Sequence, residues 1–246
     1  MSSEAIAVEG LTKRFGKLTA LDQVTLSIET GTIFGLMGHN GAGKTTLLRL
    51  LLGLLSPSNG SGTVIGHDIV RESLEIRGVC GFLPADFKLP GDSTARQFLK
   101  YIASMFDLSG TVVDERIEEL NTLFRLETFI DNKMSEYSTG MMQKVGLAQA
   151  LINTPRILLL DEPTAGIDPI GRHEFLELLR TMAKEDQVTI LFSTHILSDI
   201  EAVCEDAAVL HQGKLIGQGS IDALKNEHGC ERMDDLYLKL VRETEA

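Results

Sequence analysis

Residues 38–45, Gly38-His39-Asn40-Gly41-Ala42-Gly43-Lys44-Thr45, satisfy the spacing G-x-x-x-x-G-K-[ST] at every specified position. Just upstream, Thr32-Ile33-Phe34-Gly35-Leu36-Met37 is a short apolar run between Gly31 and Gly38, and this predicts a buried strand. Just downstream, Thr45-Thr46-Leu47-Leu48-Arg49-Leu50-Leu51-Leu52 is apolar nearly all round, and this predicts a buried helix. Strand, glycine loop and helix together form a phosphate cradle. Gly38, Gly41 and Gly43 let backbone N–H groups converge on one point, which the positive end of the helix dipole also faces. Lys44 adds a full charge there, and Thr45 offers a hydroxyl to Mg²⁺. His39, Asn40, Ala42 and Thr46 complete the cofactor-binding set expected of the loop. A plain glycine turn is the alternative, and the flanking elements weigh against it.

The 246 residues suit one large domain, or one domain with an insertion. No stretch joins eighteen or more apolar residues without charge, so no spanning helix is expected. The first ten residues, MSSEAIAVEG, lack a basic patch followed by an apolar run, so no secretory signal is expected. Cys80, Cys204 and Cys230 are few, scattered and odd in number, the usage of reduced thiols in a cytoplasmic chain. In that setting the glycosylation triplet Asn59-Gly60-Ser61 is merely a turn. A net charge of −12, with scattered Lys and Arg, disfavours a nucleic-acid partner.

Residues 5–9 and 24–28 alternate like strands and predict an N-terminal antiparallel β region, with Phe15-Gly16 in the turn region between them. From spacing alone Phe15 is an ordinary packing aromatic. Residues 56–62, SPSNGSG, are strong turn formers and predict a loop. Residues 63–65 and 79–83 read as further strands. Thr94–Phe106, Val112–Leu126 and Gly140–Ile152 carry helical periodicity with little strand between them. The expected organisation is a single α/β domain: a core of residues 1–84 and 155–220, an inserted helical subdomain at 85–154, and a helical tail at 221–246. Within the core, Ile157–Leu160 and Val188–Phe192 read as apolar strands around a helix at Arg172–Lys184, implying a mostly parallel sheet with ligands at its carboxyl edge. Residues 209–216 read as a hairpin, and Ser220 is placed to cap the tail.

Ile157-Leu158-Leu159-Leu160-Asp161-Glu162 is an apolar strand ending in two acids. Desolvating two carboxylates is costly, so stability alone does not account for them. Beside a phosphate loop, Asp161 would hold Mg²⁺, and Glu162 would orient or deprotonate the water attacking a γ-phosphate. Taken alone, a strand end with solvated acids explains them equally well.

With these motifs in this order, almost the whole chain resembles the ATP-binding-cassette family, the nucleotide-binding subunits of ABC transporters. Tyr137-Ser138-Thr139-Gly140-Met141 resembles the family's signature, usually LSGGQ; Pro163–Pro169 resembles its D-loop; Ser193-Thr194-His195 resembles its switch histidine segment. The resemblance implies ATP and Mg²⁺ as cofactors, a γ-phosphate contact at His195, an adenine contact at Phe15, and two ATPs held in a head-to-tail dimer. The surface opposite each ATP would be Ser138 and Gly140 of the other protomer, where hydroxyl, amide and helix N-terminus meet. The resemblance also implies that Asp168 is an interface residue of the cofactor-binding set; a helix cap at Asp168 and a satisfied core histidine at His195 are the plainer alternatives. Two positions depart from the family pattern. Ala85 stands where a glutamine usually follows Gly81-Phe82-Leu83-Pro84, and Thr139 and Met141 alter the signature. Lys44, Asp161, Glu162 and His195 remain, so hydrolysis is expected to survive.

The function implied is an ATPase subunit on the cytoplasmic face of the cell membrane, driving a separately encoded transmembrane permease, in a homodimer or heterodimer of cassettes. The signature spelling and the Leu83-Pro84-x-Asp86 stretch resemble exporters. A soluble cassette ATPase of translation or DNA repair is the alternative. Such proteins usually carry two cassettes or a long coiled coil, and the stretch between Lys44 and Asp161 leaves no room for the latter. A non-hydrolysing sensor has no need of Glu162, and a small-molecule kinase leaves Ser138, Gly140 and His195 unexplained.

Overall fold

The computed structural model describes residues 4–245. Met1–Ser3 of the N-terminal stretch and Ala246 of the tail lie outside the described residues. Two sheets enclose a buried helix. The first is antiparallel and comprises β1 (Glu4–Phe15), β2 (Leu18–Glu29), β4 (Asn59–Val64) and β5 (His67–Asp68), in the order β2-β1-β4-β5. The second comprises β3 (Ile33–Met37), β6 (Cys80–Leu83), β7 (Ile157–Asp161), β8 (Thr189–Thr194), β9 (Asp206–His211) and β10 (Lys214–Ser220). Its order is β10-β9-β3-β8-β7-β6, and every pair is parallel except β9–β10. This is the α/β architecture with an N-terminal antiparallel region that the sequence leads one to expect.

Every residue of β3, β7 and β8 is buried, as a parallel strand covered on both faces requires. Their side chains alternate between two cores. Phe34, Leu36, Leu159 and Leu191 face α1 (Lys44–Leu51) and the antiparallel sheet. Met37, Leu158, Leu160, Ile190 and Phe192 face the helices on the other side. In α1, Leu47, Leu48, Leu50 and Leu51 are all fully buried. Each such leucine contributes roughly 1.5–3 kcal/mol by leaving water, and this outweighs the helix's shortness.

Between β6 and β7 run α3 (Ala95–Ser104), α4 (Thr111–Phe124) and α5 (Thr139–Ala150), which bury Leu99, Ile117, Leu120 and Leu147 in one cluster. Thr94 and Gln97 close a capping box on α3. After β7 come α6 (Pro169–Glu185) and, past β8, α7 (Leu197–Val203). Ser220 caps α8 (Ile221–Glu227) by accepting from the Ala223 N–H, and α9 (Met233–Glu245) follows.

Two local expectations need correction. Phe15 ends β1, paired with Leu18, so the turn is Gly16-Lys17 alone. Residues 59–62 form β4 rather than a loop. A Cβ at Gly60 would sit 2.4 Å from the Gly10 carbonyl oxygen, so glycine here permits close strand approach rather than a free turn. The helices α2 (Ser73–Val79) and α7, for which the sequence carries no expectation, are seven residues each, too short to carry a readable period.

Candidate active site

Because β3, β7 and β8 are parallel neighbours, their carboxyl ends lie at one edge in matched register, Met37 beside Thr194 and Asp161 beside Ser193. The phosphate-binding loop leaves β3 there. Gly43, at φ 114° and ψ 0°, turns the chain into α1, and a Cβ on it would lie 2.7 Å from the Ala20 carbonyl oxygen. Ala42 is fully buried and braces the loop from below, with its carbonyl accepting from the Gly213 N–H at 2.9 Å.

Lys44 is only 5% exposed. Its ammonium donates to the carbonyls of Gly38 (2.6 Å) and His39 (3.3 Å) and lies 2.9 Å from Glu162 Oε1. That last contact is an ion pair. Asp161 is buried at the tip of β7. The Thr45 hydroxyl donates to its Oδ2 and the Ser193 hydroxyl to its Oδ1, both at 2.6 Å. Both carboxylate oxygens are thus satisfied, the condition for keeping a buried charge. The pair Thr45 and Asp161 offers only oxygen donors beside a phosphate cradle, a set that suits Mg²⁺.

Glu162 follows with φ +52°, an unfavourable backbone for a residue with a Cβ, and its N–H donates to the Ser193 carbonyl at 3.0 Å. The twist turns its side chain toward β8. There Oε2 accepts from His195 Nδ1 (2.6 Å) and from the His195 backbone N–H (3.3 Å). His195 is half exposed, so it is no satisfied core histidine, whereas Glu162 is 13% exposed. One carboxylate therefore bridges the loop lysine and the switch-segment histidine.

Of the other expected residues, Ser138, Gly140, Asp168 and Phe15 make none of these contacts. Ser138 is exposed and caps α5 by accepting from the Met141 N–H, while Gly140 sits in the first turn with open space about it. Asp168 caps α6, its Oδ1 accepting from the Ile170 and Gly171 N–H groups at 3.1 Å, so the helix-cap alternative describes its contacts. Phe15 is 46% exposed, with the Lys13 ammonium 5.0 Å from its ring centre. Thr46 is half-buried in α1. The His39 ring meets His211 edge to face at 5.2 Å, and its Nδ1 donates to the Asn40 carbonyl. Ala85 and Asp86 are both exposed in the turn after β6. Sequence reasoning missed Ser193 as a partner of Asp161, since only strand register shows it. It also missed Tyr237, which lines a cavity of about 230 Å³ with Gly38, His39, Asn40, His195 and Leu197.

Fold and cluster define an α/β phosphate-loop nucleotide-binding protein. The family model described as "ABC transporter" matches residues 21–165. The chain belongs to the ABC transporter family, as one of its ATP-binding, ATP-hydrolysing cassettes. It is 40% identical over 218 residues to the ABC transporter ATP-binding protein sll0415 of Synechocystis sp., covering 87% of this chain and 61% of that one. It is 37% identical to the Nod factor export ATP-binding protein I of Bradyrhizobium diazoefficiens, covering 94% and 75%. Among solved structures, the post-hydrolysis dimer of the cassette MJ0796 bound to ADP and Pi superposes with TM-score 0.80 at 27% identity, covering 88% and 98%. No helix among the described residues is long and apolar enough to cross a membrane.

Proposed function

We propose that this chain powers export through a separately encoded membrane-spanning partner, working at the cytoplasmic membrane face as a head-to-tail pair of cassettes over two ATPs. The observation that carries this reading is Glu162, shared between Lys44 and His195 at the edge where the phosphate loop opens. The loop amides, the α1 N-terminus and Lys44 hold the phosphates. Thr45 and Asp161 would hold Mg²⁺, which would supply charge neutralisation at the phosphates. Glu162 accepts the proton of the attacking water, and His195 keeps that carboxylate oriented toward the γ-phosphate.

Ser138 and Gly140 lie outside this cluster, which supports their use by the opposite protomer, and the dimeric state of the MJ0796 relative supports the same arrangement. A groove of about 310 Å³ lined by Leu54, Phe82, Phe87, Ile102 and Phe106 supports docking of a partner's apolar segment beside the turn at Ala85. Export as the direction rests on the Bradyrhizobium relative and on the signature spelling.

Glu162→Gln tests the mechanism. It is expected to bind ATP, lose turnover by about 10²–10⁴-fold, and accumulate an ATP-dependent dimer on size exclusion. Parental turnover would remove Glu162 from the mechanism. Co-purification from membranes tests the partner: an integral membrane protein is expected, and a ribosomal or DNA partner would favour the soluble alternative.

A further inference from the structure

Two stretches of chain run side by side beyond the sheet edge: Glu162-Pro163-Thr164 leaving β7, and His195–Asp199 leaving β8 and opening α7. Two side-chain rungs join them. The outer rung is His195 Nδ1 to Glu162 Oε2, 2.6 Å, at a half-exposed ring. The inner rung is the Thr164 hydroxyl to Asp199 Oδ2, 2.7 Å, at a carboxylate that is 0% exposed.

Asp199 is held on every side. Its Oδ1 accepts from Arg172 Nε on α6, and Arg172 also donates to the Ser198 hydroxyl at 2.7 Å. The Asp199 N–H donates to the Ile196 carbonyl at 3.0 Å, and the Ile196 N–H to the Thr194 hydroxyl at 2.9 Å, so the path from Asp199 back to His195 is short and braced. Two residues further on, Glu201 accepts from Lys225 of α8 and from the Met233 N–H of α9. The short helix α7 thus joins the switch segment to α6 and to both C-terminal helices.

Stability alone does not explain a charge here. Stripping water from a carboxylate costs several kcal/mol, and a well-packed apolar substitute for a buried ion pair is often as stable or more so. What the inner rung supplies is register: with it closed, α7 cannot slide along the turn at 162–164 without leaving the buried Oδ2 of Asp199 without its hydrogen-bond donor.

We propose that Asp199 is a positioning residue for ATP hydrolysis, locking the turn after β7 to the start of α7 so that His195 and Glu162 stay aligned. The inference rests on Glu162 and His195 being the catalytic pair. In the full chain, Asp199→Asn keeps the shape but cannot accept from both Thr164 and Arg172. Thr164→Val removes the same rung from the other side, and carries the test should the first variant fail to fold. Each is expected to lower kcat by between about tenfold and a hundredfold, the cost of a small misplacement, with the ATP dissociation constant changed less than about twofold. Thr164→Ser, which keeps the hydroxyl, restores turnover. In a His195→Ala background the same substitutions should cost far less than in the parent, because their route of action is already gone. Unchanged kcat in folded Thr164→Val, or a full additive loss on top of His195→Ala, overturns the inference. Parental turnover in His195→Ala alone shows instead that the catalytic pair is misassigned, and the inference falls with it.

Discussion

The Thr45 hydroxyl donates to Asp161 Oδ2 at 2.6 Å, joining the first turn of α1 to the tip of β7 across 116 positions of sequence. Two oxygen ligands suited to one Mg²⁺ are thereby set side by side. Asp161→Asn keeps the volume and loses the anion. The Mg²⁺ concentration supporting half-maximal ATP hydrolysis is expected to rise by about tenfold or more, with the circular dichroism of the fold intact. An unchanged Mg²⁺ requirement would take Asp161 out of the metal site.

Ala85 is exposed in the turn after β6, where its methyl group offers a metal nothing. Ala85→Gln adds an amide oxygen at that turn. A severalfold gain in apparent Mg²⁺ affinity is expected if the turn closes onto the cluster in the working state. No change would mean that Thr45 and Asp161 suffice.

Gly43 sits at φ 114° with the Ala20 carbonyl where a Cβ would go. Gly43→Ala should cost roughly 1–3 kcal/mol in urea unfolding, from backbone strain and steric overlap, and should weaken ATP binding as the loop is pushed off its amide geometry. Parental ATP affinity in this variant would argue that the loop does not shape the site.

Of the three cysteines, Cys80 is buried with its thiol pushed up to about 12 by loss of water, and burial likewise raises Cys204. Cys230 is half-buried. Iodoacetamide at pH 8 should alkylate Cys230 in the folded chain and all three in denaturant, read by mass spectrometry. Labelling of Cys80 in the folded chain would contradict the burial of β6.

Glu118 on α4 is held below its ordinary 4.5, first by the Arg96 guanidinium and then by Asn121. A depressed carboxyl stabilises the fold above its unfolded value and loses that contribution as pH falls through the folded one. The thermal midpoint of Glu118→Gln should therefore lie below the parent's at pH 7, and the two should converge as pH drops well below 4.5. A constant gap across that window would mean the ion pair is not the source. The effect is small because the pair is exposed.

Local pattern carried much of this protein. The glycine loop, the apolar strands over 157–160 and 188–192, and the helices between β6 and β7 all announce themselves through spacing or period, because each is a near-neighbour effect of backbone and hydration. The short helices α2 and α7 left no periodic trace. The glycines of β4 looked like a turn because, in sequence, close strand approach and chain reversal call for the same residue.

What the sequence by itself determined is which groups are present: a lysine and hydroxyl on a phosphate loop, two acids on a strand tip, a histidine after another strand. Only the tertiary structure decided which of them meet. Ser193 reaches Asp161, His195 reaches Glu162 and Asp199 reaches Thr164 because parallel strands bring their carboxyl ends into register at one edge. That pairing comes from burying both faces of β3, β7 and β8 between two cores, a property of the whole chain that no single segment contains.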